Sequence, residues 1–250
     1  MPSTAILFVP GAWHSPSCFS QVIDLLQSTT TYTTDAVDLP SVGPENHHYL
    51  RDLTEDVQQI RTQILRLAAA GHRVLVFAHS YGGVVASEAI QHLDWETRRK
   101  ASLPGGVSHL FLCCSFLVPE GRSLRDALGG HDAPWVEVSA DQTAATPRNP
   151  IEVFYQDVPE AAARAAVAAL NPHSYRTFSS ACCFAAWKVV PTTYLYCERD
   201  RAIPVEVQRR MVEGVGQGRD IRTETLDAGH SPFLSRVGKV VAAVCRAAEL

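Results

Sequence analysis

Long apolar runs and blocks of positive charge are both missing from this sequence. No apolar run approaches the roughly 20 residues that a membrane-spanning helix needs. The 22 Lys and Arg residues are mixed along the chain with 26 Asp and Glu residues, and the net charge is -4 at pH 7. Because nucleic acids and anionic membranes bind clustered positive charge, we expect neither as a partner. A small-molecule substrate is the expected partner.

We expect neither a secretory leader nor a framework of disulfides. Residues 1–4 contain no basic side chain, and the apolar run that follows them is too short for a signal peptide. The seven cysteines are an odd number, and the adjacent pairs Cys113-Cys114 and Cys182-Cys183 do not have the spacing of a metal site. We expect most of them to be small buried apolar residues in a reduced, cytoplasmic protein.

Strand-like and helix-like segments alternate along most of the chain, which at 250 residues suits one α/β domain or two small ones. Short apolar runs predict strands at residues 5–9, 31–39, 74–77, 107–116, 192–196 and 221–226. Spacings of three and four between apolar residues predict helices at residues 16–27, 50–67, 82–92, 159–170, 204–215 and 231–248. This alternation predicts the α/β class, with a mainly parallel sheet of about six strands and helices on both faces.

The regular alternation stops between residues 119 and 187. An Ala-rich helix, with Asp157 and Glu160 placed to cap it, lies there among loops rich in Pro, Asn and Ser. Because ligands of parallel sheets bind outside the carboxyl ends of the strands, we predict that this stretch covers that edge. The predicted organisation is a core of residues 1–118 and 188–250 with a cap of residues 119–187, all in one compact domain.

The stretch from residue 74 to residue 83 predicts a strand, a sharp turn and a helix. Its apolar residues lead into Ala78-His79-Ser80-Tyr81-Gly82, which is close to the pattern G-x-S-x-G of a nucleophile elbow. Ala78 stands where the pattern has Gly, and it is small enough for the close approach of two chain segments. We predict that Ser80 is the nucleophile and that His79 matters more through its backbone than through its ring.

A serine nucleophile needs a general base, and the base needs a third group that holds its tautomer. In the elbow architecture an acid follows a late strand, and a histidine follows the last strand. Asp200 and His230 occupy these places, so parallel strands would bring both of them to the same edge as Ser80. Glu198 is an alternative acid, and Glu120, which follows an earlier strand, is another.

Acyl transfer also needs hydrogen-bond donors for the developing oxyanion. One donor is expected from the backbone N–H of Tyr81, which follows the nucleophile. The other is expected from the loop after the first strand, where we predict Ala12 and give Trp13 as the alternative.

Four segments together resemble the α/β-hydrolase superfamily: Phe8-Val9-Pro10-Gly11-Ala12-Trp13-His14, Ala78-His79-Ser80-Tyr81-Gly82-Gly83, Asp200-Arg201-Ala202-Ile203-Pro204 and Gly229-His230-Ser231-Pro232. The resemblance spans nearly the whole chain apart from the cap. It looks closest to the small-capped branch of plant methyl-ester esterases, hydroxynitrile lyases and related microbial esterases. It implies the α/β-hydrolase fold, no cofactor, no metal, and an activity in small-molecule or secondary metabolism.

The sequence departs from that branch at two positions. Pro10 stands where the oxyanion loop of the family commonly has His, but the hole uses backbone groups. Ser231 stands where the lyases of the branch have a Lys that handles cyanide. The second departure argues against cyanohydrin cleavage and for ester hydrolysis.

The function predicted from the sequence is hydrolysis of a small, apolar carboxylic ester, lactone or thioester through an acyl-enzyme. A lyase, a C–C hydrolase or a cyclase with His230 as general base is the alternative, and a small-molecule receptor is a further one. The oligomeric state is not determined, and a homodimer is one state that the sequence allows. Substrate contacts are expected from Trp13, His14, Trp135, Phe154, Tyr175 and Phe178.

Overall fold

The computed structural model describes residues 3–44 and 48–250. Its strands are β1 (Thr4–Val9), β2 (Thr33–Ala36), β3 (Arg73–His79), β4 (Gly106–Cys113), β5 (Val136–Val138), β6 (Ala144–Pro147), β7 (His173–Ser174), β8 (Thr192–Cys197) and β9 (Ile221–Leu226). Six of these strands form one sheet in the order β2-β1-β3-β4-β8-β9, and every adjacent pair is parallel. The predicted α/β fold with a mainly parallel sheet is confirmed.

Helices cover both faces of this sheet, because successive strand residues point to opposite sides and both sides are apolar. The helices are α1 (Ser20–Thr29), α2 (Thr54–Ala69), α3 (Gly82–Ala89), α4 (Trp95–Lys100), α5 (Leu124–Ala127), α6 (Pro150–Phe154), α7 (Glu160–Ala168), α8 (Val205–Arg210), α9 (Pro232–Ser235) and α10 (Val237–Ala248). Ile6 and Phe8 belong to the apolar cluster that α1, α9 and α10 cover. Leu7 and Val9 belong to the cluster on the opposite face, which α2 and α3 cover.

The segment 119–187 leaves the sheet after β4 and returns to it at β8. It contains α5, α6 and α7, and its strands β5, β6 and β7 form a small antiparallel sheet. Trp13 joins this sheet to the core, because its indole N–H donates to the carbonyl of Ala145, with 2.9 Å between the two atoms. We predicted no strand here.

Three elements are shorter than predicted or divided, and each of these differences has a local cause. β2 is shorter because it is the partly exposed edge strand and pairs with β1 alone. β4 ends at residue 113 because Cys114 has a positive φ of 35°. The last predicted helix is split at Arg236, whose φ of -140° is not helical.

One prediction about a helix end needs correction, and one helix was not predicted. Asp157 does not cap α7, whose N-cap is Pro159 without a side-chain hydrogen bond. A helix that we did not predict, α4, begins after Asp94, whose carboxylate accepts from the N–H of Thr97.

Within residues 3–44 and 48–250, no helix has both the length and the apolar character needed to cross a membrane.

Candidate active site

Ser80 lies in the turn between β3 and α3, at the carboxyl end of a central strand. Its φ of 53° is in the left-handed region, which residues with a side chain rarely adopt. Its carbonyl accepts hydrogen bonds from the N–H groups of Gly83 and Phe116, each at 3.1 Å, and from the hydroxyl of Ser115 at 2.7 Å. A Cβ at Gly83 would lie 2.2 Å from Ser115 Oγ, so only glycine allows the helix to pass this close. These contacts hold the strained turn in place.

Asp200 and His230 lie on the loops that follow β8 and β9, and their side chains meet. His230 Nδ1 is 2.8 Å from Asp200 Oδ2, and the two residues are only 2% and 6% exposed. Asp200 Oδ1 accepts from the N–H groups of Ala202 and Ile203, and Oδ2 also accepts from Gln208 Nε2. Because the carboxylate only accepts, Nδ1 of His230 carries a proton, and in the neutral form of the ring Nε2 is then the nitrogen with the lone pair.

The two alternative acids lie in different surroundings. Glu198 is exposed, and its backbone N–H donates to the carbonyl of Leu226. Glu120 forms an ion pair with Lys188 and accepts from the N–H of Ala185. The carboxylate that contacts the imidazole of His230 is therefore that of Asp200.

Three buried groups hold the backbone of the His230 loop. His79 Nε2 donates to the carbonyl of His230 at 2.9 Å, and Cys114 Sγ donates to the same carbonyl at 3.4 Å. Asp157 Oδ2 accepts from the N–H of Gly229 at 2.9 Å. Burial, followed by the nearby His230, holds the pKa of His79 well below its usual value, so its ring is neutral. The ring of His79 thus supports the site, which the sequence did not indicate.

The loop after β1 lies directly against the turn of Ser80. A Cβ at Gly11 would be 2.9 Å from the Cβ of Ser80, so a side chain there would push the two segments apart. Trp13 has a φ of 67°, which turns the chain sharply after Ala12. The loop in which we expected an oxyanion donor therefore lies next to Ser80.

His14 fixes the conformation of this loop from behind. Its Nδ1 lies 2.7 Å from the carbonyl of Ala12, and its Nε2 lies 2.9 Å from the hydroxyl of Tyr155. Burial lowers the pKa of His14 to about 4. A neutral imidazole satisfies both contacts if Nδ1–H donates to Ala12 and Nε2 accepts from the Tyr155 hydroxyl.

Tyr81, whose N–H is the other expected oxyanion donor, is anchored by a buried carboxylate. Its hydroxyl donates to Asp56 Oδ2 at 2.7 Å, and Asp56 Oδ1 accepts from the N–H of Ser41 at 2.9 Å. Burial raises the pKa of Asp56, and its hydrogen bonds oppose that shift. No sequence motif marked Asp56, which occupies an ordinary inward position of α2.

A small apolar cavity opens beside Ser80. Its free volume is about 30 Å³, room for one or two water molecules, so a larger ligand has to displace lining side chains. The segment 119–187 provides one wall, and the loops after β1, β3, β4 and β8 provide the rest. The lining comprises Ala12, Trp13, Ser80, Tyr81, Phe116, Leu124, Leu128, Asp132, Ala133, Trp135, Val136, Phe178, Ala202 and Ile203.

The residues that we expected to contact substrate divide into two groups. Trp13, Trp135 and Phe178 line the cavity beside Ser80. His14, Phe154 and Tyr175 do not. His14 lines a separate cavity with Tyr155. Phe154 is fully buried, with its ring centroid 5.7 Å from that of Trp13, and Tyr175 lines an outer cleft.

Among the described residues, two groups of side chains have the donor atoms of a metal site. In the group of Cys113, Cys114 and Cys197 the three sulfur atoms lie within 4.8 Å of one another, and all are free thiols. The other group is His79, Cys114 and His230. Metal binding by that second group would compete with hydrogen bonds that hold the His230 loop.

The strand order and the serine turn after β3 are those of an alpha/beta hydrolase. The model of the alpha/beta hydrolase family matches residues 6–244, so the chain belongs to this family. It is 32% identical over 255 residues to the alpha/beta hydrolase nvfD of Aspergillus novofumigatus, with 99% of this chain and 98% of that protein covered.

Two solved structures show the same fold. The crystal structure of a pyrethroid hydrolase from Sphingobium faniae JZ-2 is similar with a TM-score of 0.79 at 18% identity, over 99% of this chain and 98% of that one. The methylesterase MES16 from Arabidopsis is similar with a TM-score of 0.74 at 20% identity, over 98% of this chain and 99% of that one.

Proposed function

We propose that the chain is a serine esterase that hydrolyses small, apolar carboxylic esters, lactones or thioesters. The observation that carries the proposal is the buried His230–Asp200 pair, which lies at the same sheet edge as a serine in a strained turn. The hydrolase and methylesterase named above support an ester as the bond that is cleaved. Segment 119–187 acts in this proposal as the cap over the site.

The proposed reaction begins when Ser80 Oγ attacks the acyl carbon and His230 Nε2 takes its proton. The N–H groups of Ala12 and Tyr81 bind the oxyanion, with Trp13 as the alternative to Ala12. His230 then gives the proton to the leaving alcohol or thiol, and the acyl group stays on Ser80. Water then attacks the acyl carbon with His230 as base, the bond to Ser80 Oγ breaks as His230 returns the proton to Oγ, and the acid product leaves. Asp200 keeps Nδ1 protonated throughout.

The apolar cavity supports the substrate class of the proposal, and the free cysteines support the proposed location. The cavity beside Ser80 is lined almost entirely by apolar side chains, which favours an apolar acyl or alcohol group. Seven free cysteines fit the cytoplasm as location. The resemblance to microbial esterases extends the proposal to secondary metabolism.

The test is hydrolysis of a series of p-nitrophenyl esters with short acyl chains, together with labelling by a fluorophosphonate. We expect turnover by the wild type, covalent labelling at Ser80, and loss of both in Ser80→Ala. The rate should fall by about 1000-fold or more, because the nucleophile itself is removed. Ser28→Ala, an exposed serine of α1, is the matched control and should keep full activity.

Ester turnover that survives in Ser80→Ala would overturn the proposal. Labelling of Ser80 without turnover of any ester would instead favour a receptor. Product formation without an acyl-enzyme, as read by mass spectrometry of the quenched reaction, would favour a lyase or cyclase with His230 as base.

A further inference from the structure

A cleft lined by arginines adjoins the catalytic cavity on the outer side of segment 119–187. Its volume is about 600 Å³, and Arg51, Arg125 and Arg176 are the cationic residues in its lining. Among the described residues that line the cleft, Asp132 is the one acidic residue, so these residues include two more positive than negative side chains. This excess is local, since the whole chain has a net charge of -4.

One of the three arginines is held in place, and the other two are available. Arg125 Nε lies 3.2 Å from Asp132 Oδ1, and its guanidinium lies over the ring of Tyr175 at 5.9 Å. Arg51 and Arg176 are both exposed, and neither forms an ion pair with a carboxylate in the described part of the chain. A guanidinium that lacks a carboxylate partner has a strong preference for a planar, bidentate anion.

The cleft and the cavity share their dividing wall. Asp132 lines both spaces, and its Oδ2 accepts from the hydroxyl of Tyr175 at 2.7 Å. Helix α5 directs Leu124 toward the cavity and Arg125 toward the cleft. The 3-10 helix Tyr175–Ser179 does the same with Phe178 and Arg176. A substrate that displaces side chains of this shared wall would have an apolar end beside Ser80 and a cationic end in the cleft.

We propose that Arg51 and Arg176 bind a carboxylate at the far end of the substrate, while its ester group lies at Ser80. The substrate class is thus an ester with an apolar chain and a remote carboxylate. The ester half of this statement rests on the proposed function, and the carboxylate half rests on the cleft alone.

The kinetic test compares p-nitrophenyl half-esters of adipic, suberic and sebacic acid with the same compounds blocked as methyl esters. At low salt we expect the free acid of the best-fitting length to have a KM about ten-fold lower than its blocked partner, since one charged contact contributes that much. The double variant Arg51→Gln/Arg176→Gln should bring this ratio close to one. The control Arg148→Gln removes an exposed cation of the same segment that is paired with Glu137, and it should keep the ratio.

Binding separates the two proposals. In Ser80→Ala, calorimetry with monomethyl suberate and dimethyl suberate should show tighter binding of the acid, and the two arginine substitutions should abolish the difference. Equal affinity for the two compounds, or a difference that survives both substitutions, would overturn the carboxylate site. If the difference is found but the wild type hydrolyses no ester, the cleft assignment stands and the esterase proposal is wrong.

Discussion

At the scale of single residues, Asp200 is oriented by hydrogen bonds on both oxygens. The N–H groups of Ala202 and Ile203 require an acceptor at Oδ1, while His230 Nδ1 and Gln208 Nε2 require one at Oδ2. An amide cannot satisfy both sides, because one of its two atoms is a donor. This arrangement makes the acid assignment testable with a substitution that barely changes volume.

We expect Asp200→Asn to lower kcat by about 10,000-fold, as the loss of the correct histidine tautomer does in serine hydrolases. The amide oxygen should stay on the N–H groups of Ala202 and Ile203, so its NH₂ group faces His230 and forces the proton to Nε2. The measurement is kcat on the best p-nitrophenyl ester, with circular dichroism to verify the fold. Glu198→Gln, the matched control on the alternative acid, should change kcat less than two-fold. A larger loss in Glu198→Gln than in Asp200→Asn would reverse the assignment.

At the scale of elements, the turn of Ser80 depends on how closely α3 passes the loop after β4. A Cβ at Gly83 would lie 2.2 Å from Ser115 Oγ and 2.6 Å from the carbonyl of Phe116. Ser115 and Phe116 both donate to the carbonyl of Ser80, so a shift of this loop removes support from the turn of Ser80. The packing of α3 therefore also determines the position of Ser80.

We expect Gly83→Ala to lower the free energy of unfolding by about 1–3 kcal/mol, as overpacking does, and to reduce kcat at least ten-fold. Gly238→Ala is the matched control, because Gly238 lies in α10 and the added Cβ would have no atom within 4 Å apart from its chain neighbours and the backbone of its own helix. That control should stabilise the protein by up to about 1 kcal/mol through helix propensity. Urea unfolding and ester turnover measure both effects, and equal behaviour of the two variants would contradict the packing argument.

The strands and loops also show which parts of the fold and of the candidate site could be predicted from the sequence. Strands such as β1 and β3 were predictable because a buried parallel strand is a continuous apolar run. The sheet β5-β6-β7 was not, because its strands have only two to four residues and pair across distant parts of the chain. The loops of Ser80, Asp200 and His230 could be placed from strand ends alone. The rest of the cavity wall could not, because Leu124 and Ala202 are distant in the sequence and come together only in the folded chain.

At the scale of the whole molecule, buried neutral histidines link stability to pH. Burial lowers the pKa of His14 and of His109 to about 4 and that of His173 to about 3, and it holds the pKa of His79 well below the usual value. Below pH 6.5 the unfolded chain binds protons at these rings, but the folded chain does not. Stability should therefore fall as the pH falls from 6.5 toward 4. Burial raises the pKa of Asp56, so this one carboxyl contributes a change of stability with pH in the opposite direction to that of the four histidines.

His109 isolates this effect, because it lies outside the candidate site. Its Nε2 is 2.9 Å from the hydroxyl of Thr193 on the neighbouring strand, and burial followed by Arg222 and Arg73 lowers its pKa. Glutamine keeps a hydrogen-bonding group there and cannot take up a proton. We expect His109→Gln to lower the free energy of unfolding at pH 7.5. At pH 5 the free energy of unfolding of the variant, compared with that of the wild type, should be roughly 2 kcal/mol more favourable than at pH 7.5, because the unfolded variant has no ring at position 109 that binds a proton. Urea unfolding at the two pH values measures the change. The difference between variant and wild type at pH 7.5 gives the cost of the substitution apart from any proton binding. A difference between variant and wild type that is the same at both pH values would show that His109 does not contribute to the pH dependence.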